Sequence, residues 1–274
     1  MFTLNCKGTL ISLEQPVVMG IINATPDSFY GGSRAATLSA ALEKASTMIQ
    51  EGAFILDIGG QSTRPGSVQI GGNEEMDRVV PVIEAVKKAF PKTLVSVDTY
   101  IPSVAIAAVN AGADIVNDIS GGRFFEDMLS TVASLNVPYI CMHSRGTIET
   151  MHEKPTSNNI ITELLDYFIE RVDACTRAGI KDIIIDPGFG FGKTIQDNFA
   201  LLKEMEALQI LQNPLLLGVS RKSSIYQILK ITPEESLNGT TVLNTVGLMN
   251  KAMILRVHDV KEAAQAIQLY QMMK

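Results

Sequence analysis

Short apolar runs alternate with amphipathic segments along almost the whole chain. Residues 183–185 are three consecutive isoleucines, which is typical of a parallel strand buried on both faces. The stretch 38–49 instead places apolar residues three or four positions apart, which predicts a helix, and Gly52 follows as a stop signal. Eight strand candidates occur in this way, and each precedes a helical pattern. They lie at 17–22, 54–58, 94–97, 115–116, 137–142, 181–185, 215–219 and 254–257.

Eight successive strand–helix units favour an α/β fold, a TIM (β/α)8 barrel. Parallel units of this kind cross over with one handedness, and eight of them close into a cylinder. A doubly wound sheet is the alternative, but its edge strands would differ in character, and all eight runs look equally buried. Residues 2–13 predict a short N-terminal β-hairpin that turns at Lys7-Gly8. Since no linker or charge block interrupts the pattern, we expect one domain over residues 1–274.

Composition narrows the range of partners and compartments. The chain has 23 Lys and Arg against 29 Asp and Glu, and this acidic balance argues against nucleic acid or an anionic membrane as a partner. Its three cysteines, Cys6, Cys141 and Cys175, show neither a disulfide framework nor metal-ligand spacing, so we expect a cytoplasmic protein. No apolar run approaches the ~20 residues of a membrane span, and the first residues do not resemble a signal peptide.

A polar residue stands at or just after the end of every strand candidate. In a barrel the carboxyl ends of all strands open onto one face, and active sites are built there. A single Asn or Asp is readily explained as a helix cap, but eight at corresponding places predict one convergent polar site. In chain order they are Asn23, Asp57, Asp98, Asn117, His143, Asp186, the Ser220-Arg221-Lys222 group, and Arg256 with His258.

This predicted site has two chemical halves. The middle strands offer the acceptors Asp98 and Asp186 and the amide of Asn117, which suit a flat heterocycle rich in hydrogen-bond donors. Strands one, two and eight become neighbours when the barrel closes, and guanidinium and hydroxyl donors together favour phosphate. The residues predicted to surround such an anion are Asn23, Ser62, Thr63, Arg64, Arg256 and His258.

Several neighbouring residues also have a purely structural interpretation. Asp57 is as well explained by support of the following loop as by a direct role. We interpret His143 as a buried histidine with satisfied hydrogen bonds, Asp118 as a possible helix cap and Lys193 as a surface or loop residue. In the glycine-rich loop, residues 187–192, Phe191 is the better candidate for stacking on a ligand.

Eight motifs resemble those of the bacterial dihydropteroate synthase family, in order and in spacing, over about residues 17–260. The chain departs from the family pattern at Gln61, where Glu is usual, and in the first loop, which lacks an Asp after the Ser-Phe pair. The motifs are Asn23-Ala24-Thr25-Pro26-Asp27-Ser28-Phe29, Gly60-Gln61-Ser62-Thr63-Arg64-Pro65-Gly66, Ser96-Val97-Asp98-Thr99, Asn117-Asp118-Ile119, Met142-His143, Asp186-Pro187-Gly188-Phe189-Gly190-Phe191-Gly192-Lys193, Ser220-Arg221-Lys222-Ser223 and Arg256-Val257-His258-Asp259-Val260.

The resemblance implies a reaction in folate synthesis. In it, 6-hydroxymethyl-7,8-dihydropterin diphosphate and 4-aminobenzoate give 7,8-dihydropteroate and diphosphate by an SN1-like path. It also implies Mg²⁺ as a cofactor, held near Asn23, and a homodimer. Two other functions share part of the pattern: a methyltetrahydrofolate methyltransferase, and a non-catalytic pterin-binding protein. The methyltransferase would share the pterin residues but has no evident need for cationic residues that bind an anion. The non-catalytic protein would keep the pterin residues and lose residues of the anion site or of the loops, and here both sets are present.

The resemblance assigns roles to individual residues. Catalysis falls to Asp98, Asp186, Lys222, Arg256 and Arg64. The pterin would contact Asp98, Asn117, Ile119, Met142, Asp186, Gly218, Lys222 and Arg256. The diphosphate would contact Asn23, Thr63, Arg64, Arg256 and His258. The aminobenzoate would contact Phe29, Thr63, Pro65, Phe191, Lys222 and Ser223.

Overall fold

A computed structural model describes residues 1–25, 34–61, 69–147, 150, 153 and 159–273, apart from the side chains of residues 34–36. Within these ranges, eight parallel strands form one sheet, and a separate two-stranded hairpin precedes it. The hairpin consists of β1 (Phe2–Cys6) and β2 (Thr9–Leu13). The parallel strands are β3 (Val17–Asn23), β4 (Ala53–Gly59), β5 (Leu94–Asp98), β6 (Ile115–Asp118), β7 (Tyr139–Met142), β8 (Ile183–Asp186), β9 (Leu216–Leu217) and β10 (Ile254–Val257).

The sheet curls into a barrel, as the sequence predicted. Its strand order is β8-β7-β6-β5-β4-β3-β10-β9, so the first and last parallel strands of the chain, β3 and β10, are neighbours. A parallel bridge between Ile185 and Leu215 brings the two ends of this order together, and the Ile185 N–H donates to the Pro214 carbonyl over 3.0 Å. The predicted (β/α)8 class and the N-terminal hairpin are therefore confirmed.

Helices surround the barrel and cover its outer face. Val18 of β3, Leu56 of β4 and Val116 of β6 point outward and share one apolar core with buried residues of the helices. The helices are α1 (Arg34–Gln50), α2 (Gly72–Ala89), α3 (Pro102–Asn110), α4 (Met128–Leu135), α5 (Ile160–Ala178), α6 (Ile195–Glu204), α7 (Ser223–Leu229), α8 (Leu237–Met249) and α9 (Val260–Gln271). None of the helices in the described ranges is long and apolar enough to cross a membrane.

The inside of the barrel is layered. Successive side chains of a strand point to opposite faces, so every second residue faces inward. The lowest inward layer takes one apolar residue from each strand, and Leu4 and Leu13 of the hairpin pack against it. The hairpin thus closes the amino end of the barrel, where the Asn5 N–H also donates to Asp182 Oδ2 over 2.9 Å. The layer consists of Met19, Ile55, Leu94, Ile115, Ile140, Ile184, Leu216 and Ile254.

Helix ends differ from the sequence expectation in three places. The apolar spacing over residues 195–211 predicts one helix, but α6 ends at Glu204 and the chain continues as a 3-10 helix, Met205–Leu211. Thr232-Pro233-Glu234-Glu235 predicts a capping box, which forms in part: the Thr232 N–H donates to Glu235 Oε2 over 2.9 Å, and a 3-10 turn, Glu234–Ser236, leads into α8. Asn73, followed by Glu74 and Glu75, predicts a helix start, but α2 begins one residue earlier at Gly72, and no side chain caps it.

Candidate active site

The inward positions above the apolar layer become polar toward the carboxyl end of the barrel. On each strand, the next inward-facing residue lies two positions beyond the apolar layer, and a further one lies two positions beyond that. These positions form two sets of inward-facing residues. The first set is Ile21, Asp57, Ser96, Asn117, Met142, Asp186, Gly218 and Arg256. The second begins with Asn23, Gly59, Asp98 and Ile119. Most of the residues predicted from strand ends therefore converge on one rim.

Arg256 is the centre of the charged contacts at this rim. Its Nε donates to Asp57 Oδ2 and its Nη2 donates to Asp98 Oδ2, both over 2.6 Å. Asn117 Nδ2 donates to the same Asp57 oxygen over 3.1 Å. Asp57 is fully buried and joins Arg256 to Asn117, so its observed contacts are those of a residue that orients the other two.

Burial raises the pKa of Asp98 to about 7, and the guanidinium of Arg256 opposes that rise. Charged groups removed from water are destabilised unless a partner compensates for the lost hydration. Arg256 is that partner here, because it lies within hydrogen-bond distance of both Asp98 and Asp57. Asp98 thus lies against a cation at the mouth of the barrel, and its carboxyl takes up a proton at a higher pH than an exposed Asp does.

Asp186 ends β8 and faces Lys222 across the rim. Its Oδ1 accepts the Gly188 N–H over 2.8 Å. Burial raises the pKa of Asp186 and lowers the pKa of Lys222 to about 8, and the attraction between the two opposes both shifts. Gly218 lies between the cations: a Cβ there would be 3.8 Å from Arg256 Cβ and 4.0 Å from Lys222 Nζ.

The glycine-rich loop after β8 forms the next side of the site. Lys222 Nζ donates to the Phe189 carbonyl and lies 4.5 Å from the centre of the Phe191 ring. Phe189 is fully buried, whereas Phe191 is half-buried. Ser223 follows Lys222 directly as the first, half-buried residue of α7.

An apolar wall stands opposite the charged residues. Ile119 and Met142 are buried together with Tyr100, and Phe191 packs against this cluster. Tyr100 was not predicted as a site residue, although it follows the β5 carboxylate by two positions. Its hydroxyl accepts a hydrogen bond from Gln61 Nε2 over 2.8 Å.

The anion side of the predicted site is described in part. Asn23 ends β3 beside Gly59 of β4, and its side chain is half-buried. His258 follows β10, and its Nδ1 lies 3.0 Å from Ser220 Oγ. Burial lowers the pKa of His258 to about 4, and the charge of Arg256 adds to this effect. The ring is therefore neutral at pH 7.

Five predicted site residues lie outside the described residues. These are Phe29, which belongs to the first loop, and four residues of the loop after β4: Ser62, Thr63, Arg64 and Pro65.

Two of the structural interpretations are corrected by the contacts. Lys193 was expected to be a surface or loop residue. It does lie in a loop, but it is 1% exposed and not at the surface, and its Nζ lies 2.9 Å from His143 Nδ1. Asp118 does not cap a helix: it accepts the Ser120 and Gly122 N–H groups and the Tyr139 hydroxyl. The interpretation of His143 as a buried, hydrogen-bonded residue is confirmed, and burial lowers its pKa to about 3.

Comparison with known proteins shows the family to which this chain belongs. The family model described as pterin binding enzyme matches residues 19–258. The dihydropteroate synthase of Escherichia coli K12 is 41% identical over 267 residues, which cover 96% of this chain and 93% of that protein. This chain belongs to the dihydropteroate synthase family. Its function is that of a dihydropteroate synthase, which is a transferase.

Solved structures of dihydropteroate synthases share the whole fold. The Xanthomonas albilineans enzyme with 4-aminobenzoic acid superposes with a TM-score of 0.92 at 39% identity, covering 99% of this chain and 97% of that one. The same enzyme in complex with 7,8-dihydropteroate gives a TM-score of 0.87 at 35% identity, covering 99% and 98%. The likeness therefore extends over the barrel and the rim that holds the candidate site.

Proposed function

We propose that this dihydropteroate synthase joins 6-hydroxymethyl-7,8-dihydropterin diphosphate to 4-aminobenzoate at the rim around Arg256. The C–O bond to the diphosphate breaks, the amine nitrogen bonds to the same methylene carbon, and the amine loses a proton. The observation that supports this most is the position of Arg256, which bonds Asp57 and Asp98 on one side and adjoins His258 on the other. Acceptors for a ring and donors for an anion thus meet at one cation.

The pterin ring would lie over the carboxylates of the middle strands. Asp98, Asn117 and Asp186 point into the barrel mouth from β5, β6 and β8, and Ile119 and Met142 offer an apolar surface beside them. The ring carries positive charge as the diphosphate departs in an SN1-like path. Fixed carboxylates stabilise such charge without having to reorganise during the reaction.

The diphosphate would lie on the opposite side of Arg256. His258 is neutral, so it would act as a hydrogen-bond donor and not as a second full charge. Asn23 from β3 completes the described part of this side, and we assign Thr63 and Arg64 to it from the family resemblance. Guanidinium groups suit the departing anion because they donate in pairs.

The aminobenzoate would lie between the glycine-rich loop and the start of α7. The Phe191 ring offers a stacking face, and the ammonium of Lys222 lies over that ring. Ser223 adds a hydroxyl beside Lys222, and we include Phe29 and Pro65 from the family resemblance. The pocket therefore offers an aromatic face for the ring of the substrate and polar donors for its carboxylate.

Mg²⁺ fits the chemistry of the anion side. This ion prefers oxygen ligands and retains several waters, so one amide oxygen and the substrate phosphates suffice. We place the ion at Asn23, whose amide oxygen lies at the end of β3 beside Gly59 of β4. Bound there, the ion would neutralise charge on the departing diphosphate.

We further propose a homodimer of single-domain subunits, and a cytoplasmic location stays a prediction. Exposed apolar side chains support the dimer: Val242 and Met249 lie seven residues apart on one side of α8, and Ile228 and Leu229 end the adjoining α7. Such residues are typical of a surface that a second copy covers. Sedimentation of the purified protein tests the assembly state.

Incubation of the purified protein with both substrates, with and without Mg²⁺, tests the reaction. We expect dihydropteroate and diphosphate in equal amounts. Asp186→Asn should lower turnover by roughly 10²–10³, because it removes a preorganised charge next to the reacting centre. The matched control is Asp166→Asn, which neutralises an exposed carboxylate on α5. Absence of product from the wild type, or wild-type turnover in a folded Asp186→Asn variant, would refute the assignment.

A further inference from the structure

Lys193 lies beneath the glycine-rich loop and holds it from below. The side chain is almost fully buried, and its Nζ donates to the Gly188 carbonyl over 2.8 Å and to the Phe191 carbonyl over 3.2 Å. The same atom lies 2.9 Å from His143 Nδ1. One ammonium group therefore joins both ends of the loop to the end of β7.

Burying an ammonium is costly unless several acceptors surround it. Here, the groups facing it also include Glu163, whose Oε1 lies 3.5 Å from His143 Nε2. Arg145 bonds Glu163 through two contacts of 2.7 Å and donates to the Gly192 carbonyl over 2.8 Å. Lys193 and Arg145 thus both bond carbonyls of one short loop, and Glu163 bonds Arg145 and lies beside His143.

The loop held in this way carries the contacts of Lys222. Lys222 Nζ donates to the Phe189 carbonyl and lies over the Phe191 ring. Space between the parts is tight: a Cβ at Gly188 would come within 1.9 Å of the His143 carbonyl oxygen, and one at Gly190 within 2.9 Å of Lys222 Cδ. A shift of the loop would therefore displace Lys222 and Phe191 together.

We propose that Lys193 is a positioning residue for the aminobenzoate end of the site. It fixes the positions of the carbonyl groups of Gly188 and Phe191. Through them it fixes the Phe191 ring and the Phe189 carbonyl, which accepts a hydrogen bond from Lys222. This role rests on the aminobenzoate pocket proposed above. On the pterin side it acts on Asp186, which accepts the Gly188 N–H over 2.8 Å, but none of the polar contacts of Lys193 described above reaches Asn23 or His258 on the diphosphate side.

Steady-state kinetics of Lys193→Met test this role. Methionine retains the length of the side chain and removes the ammonium. Since small displacements of a positioning group change binding and rate strongly, we expect the KM for 4-aminobenzoate to rise about tenfold or more. The KM for the pterin diphosphate should rise less, because Lys193 acts on the pterin residue Asp186 through Gly188 and not by a direct hydrogen bond described above. The matched control is Lys203→Met, which removes an exposed cation from α6 and should change neither KM.

Lys193→Gln keeps a donor and should recover part of the aminobenzoate KM, which a mere loss of stability would not produce. If the methionine variant does not fold, the glutamine variant decides the question alone. Combining Lys193→Met or Lys193→Gln with Phe191→Leu should give less than the product of the two single effects, because both act through one loop. Equal changes in both KM values, or strictly independent effects of the two sites, would overturn the proposal. An inactive wild type would instead refute the proposed function.

Discussion

At the scale of single residues, the contacts of His258 define its protonation. Ser220 Oγ accepts the backbone N–H of His258 over 3.1 Å and lies 3.0 Å from its Nδ1. A hydroxyl oxygen that accepts one N–H can still donate its own hydrogen to Nδ1. Because the lowered pKa leaves the ring neutral at pH 7, we expect Nδ1 to accept this bond and Nε2 to carry the single ring hydrogen. His258 is thereby prepared as a donor toward the anion side.

Replacing Ser220 tests this arrangement. Ser220→Ala removes the partner of Nδ1, so we expect a mixture of ring tautomers and a several-fold rise, about threefold to tenfold, in the KM for the pterin diphosphate. A long-range proton–nitrogen correlation spectrum shows which ring nitrogen carries the hydrogen. Ser220→Thr keeps the hydroxyl and serves as the control. A wild-type spectrum with the hydrogen on Nδ1 would contradict this account.

Residue type predicted which positions converge at the rim but not which contacts each one makes there. Asp98 and Asp186 could be identified because a carboxylate at the end of an apolar run is unusual. The burial of Lys193 could not, because a lysine after three glycines has the composition of an exposed loop. Its partners are His143, which follows β7 and lies 50 residues earlier in the chain, and carbonyls of the loop itself. Such contacts exist only once the barrel is closed.

At the scale of elements, the glycine-rich loop is a rigid part of the site. Gly188 has a φ of +66° and Gly190 a φ of +88°, a region that side chains rarely adopt. The Gly190 N–H donates to Asn198 Oδ1 over 2.7 Å, and Asn198 Nδ2 donates to Ser224 Oγ over 3.0 Å. The loop is thus connected to α6 and to α7, which carries Ser223.

Gly188→Ala should destabilise the protein and disturb this loop, because the new methyl group would meet the His143 carbonyl at 1.9 Å. Gly8→Ala is the matched control: its φ of +88° is also positive, but no atom lies within 4 Å of an added Cβ. We expect the control to lose about 1–2 kcal/mol of unfolding free energy from backbone strain, and Gly188→Ala to lose more. Urea unfolding measures both. Equal losses would show that the loop yields without cost.

The order of strands and helices was predictable because each apolar run has the length and β-branched content of a buried strand. The ends of the strands and helices were less predictable from the sequence. The turn from α6 into a 3-10 helix at Met205 has no signal in the sequence, since Met205 and Leu208 continue the apolar spacing and are both fully buried. The strand β9 has only two residues, because Gly218 leaves the ladder where it passes between Arg256 and Lys222.

At the scale of the whole molecule, the residues that stabilise the barrel are separate from those proposed to act on the substrates. The inward positions are apolar near the amino ends of the strands and polar near the carboxyl ends, so one cylinder contains a core below and a site above. The sequence predicted the site as a ring because all strands run in the same direction. It did not predict the packing of the hairpin into the lower end, which depends on the three-dimensional course of β1 and β2.

This separation predicts opposite effects of two kinds of substitution. Leu13→Ala removes a fully buried side chain from the closed end and should cost about 2–5 kcal/mol of unfolding free energy. It should leave both KM values unchanged at a temperature where the variant is folded, because the apolar layer lies between Leu13 and the rim. Leu10→Ala, in the same hairpin but 71% exposed, should change stability by no more than about 0.5 kcal/mol. Asp186→Asn should do the reverse of Leu13→Ala, lowering turnover while the protein stays folded. Denaturant unfolding and kinetics on the same three variants test the separation, which a loss of aminobenzoate or pterin affinity in folded Leu13→Ala would contradict.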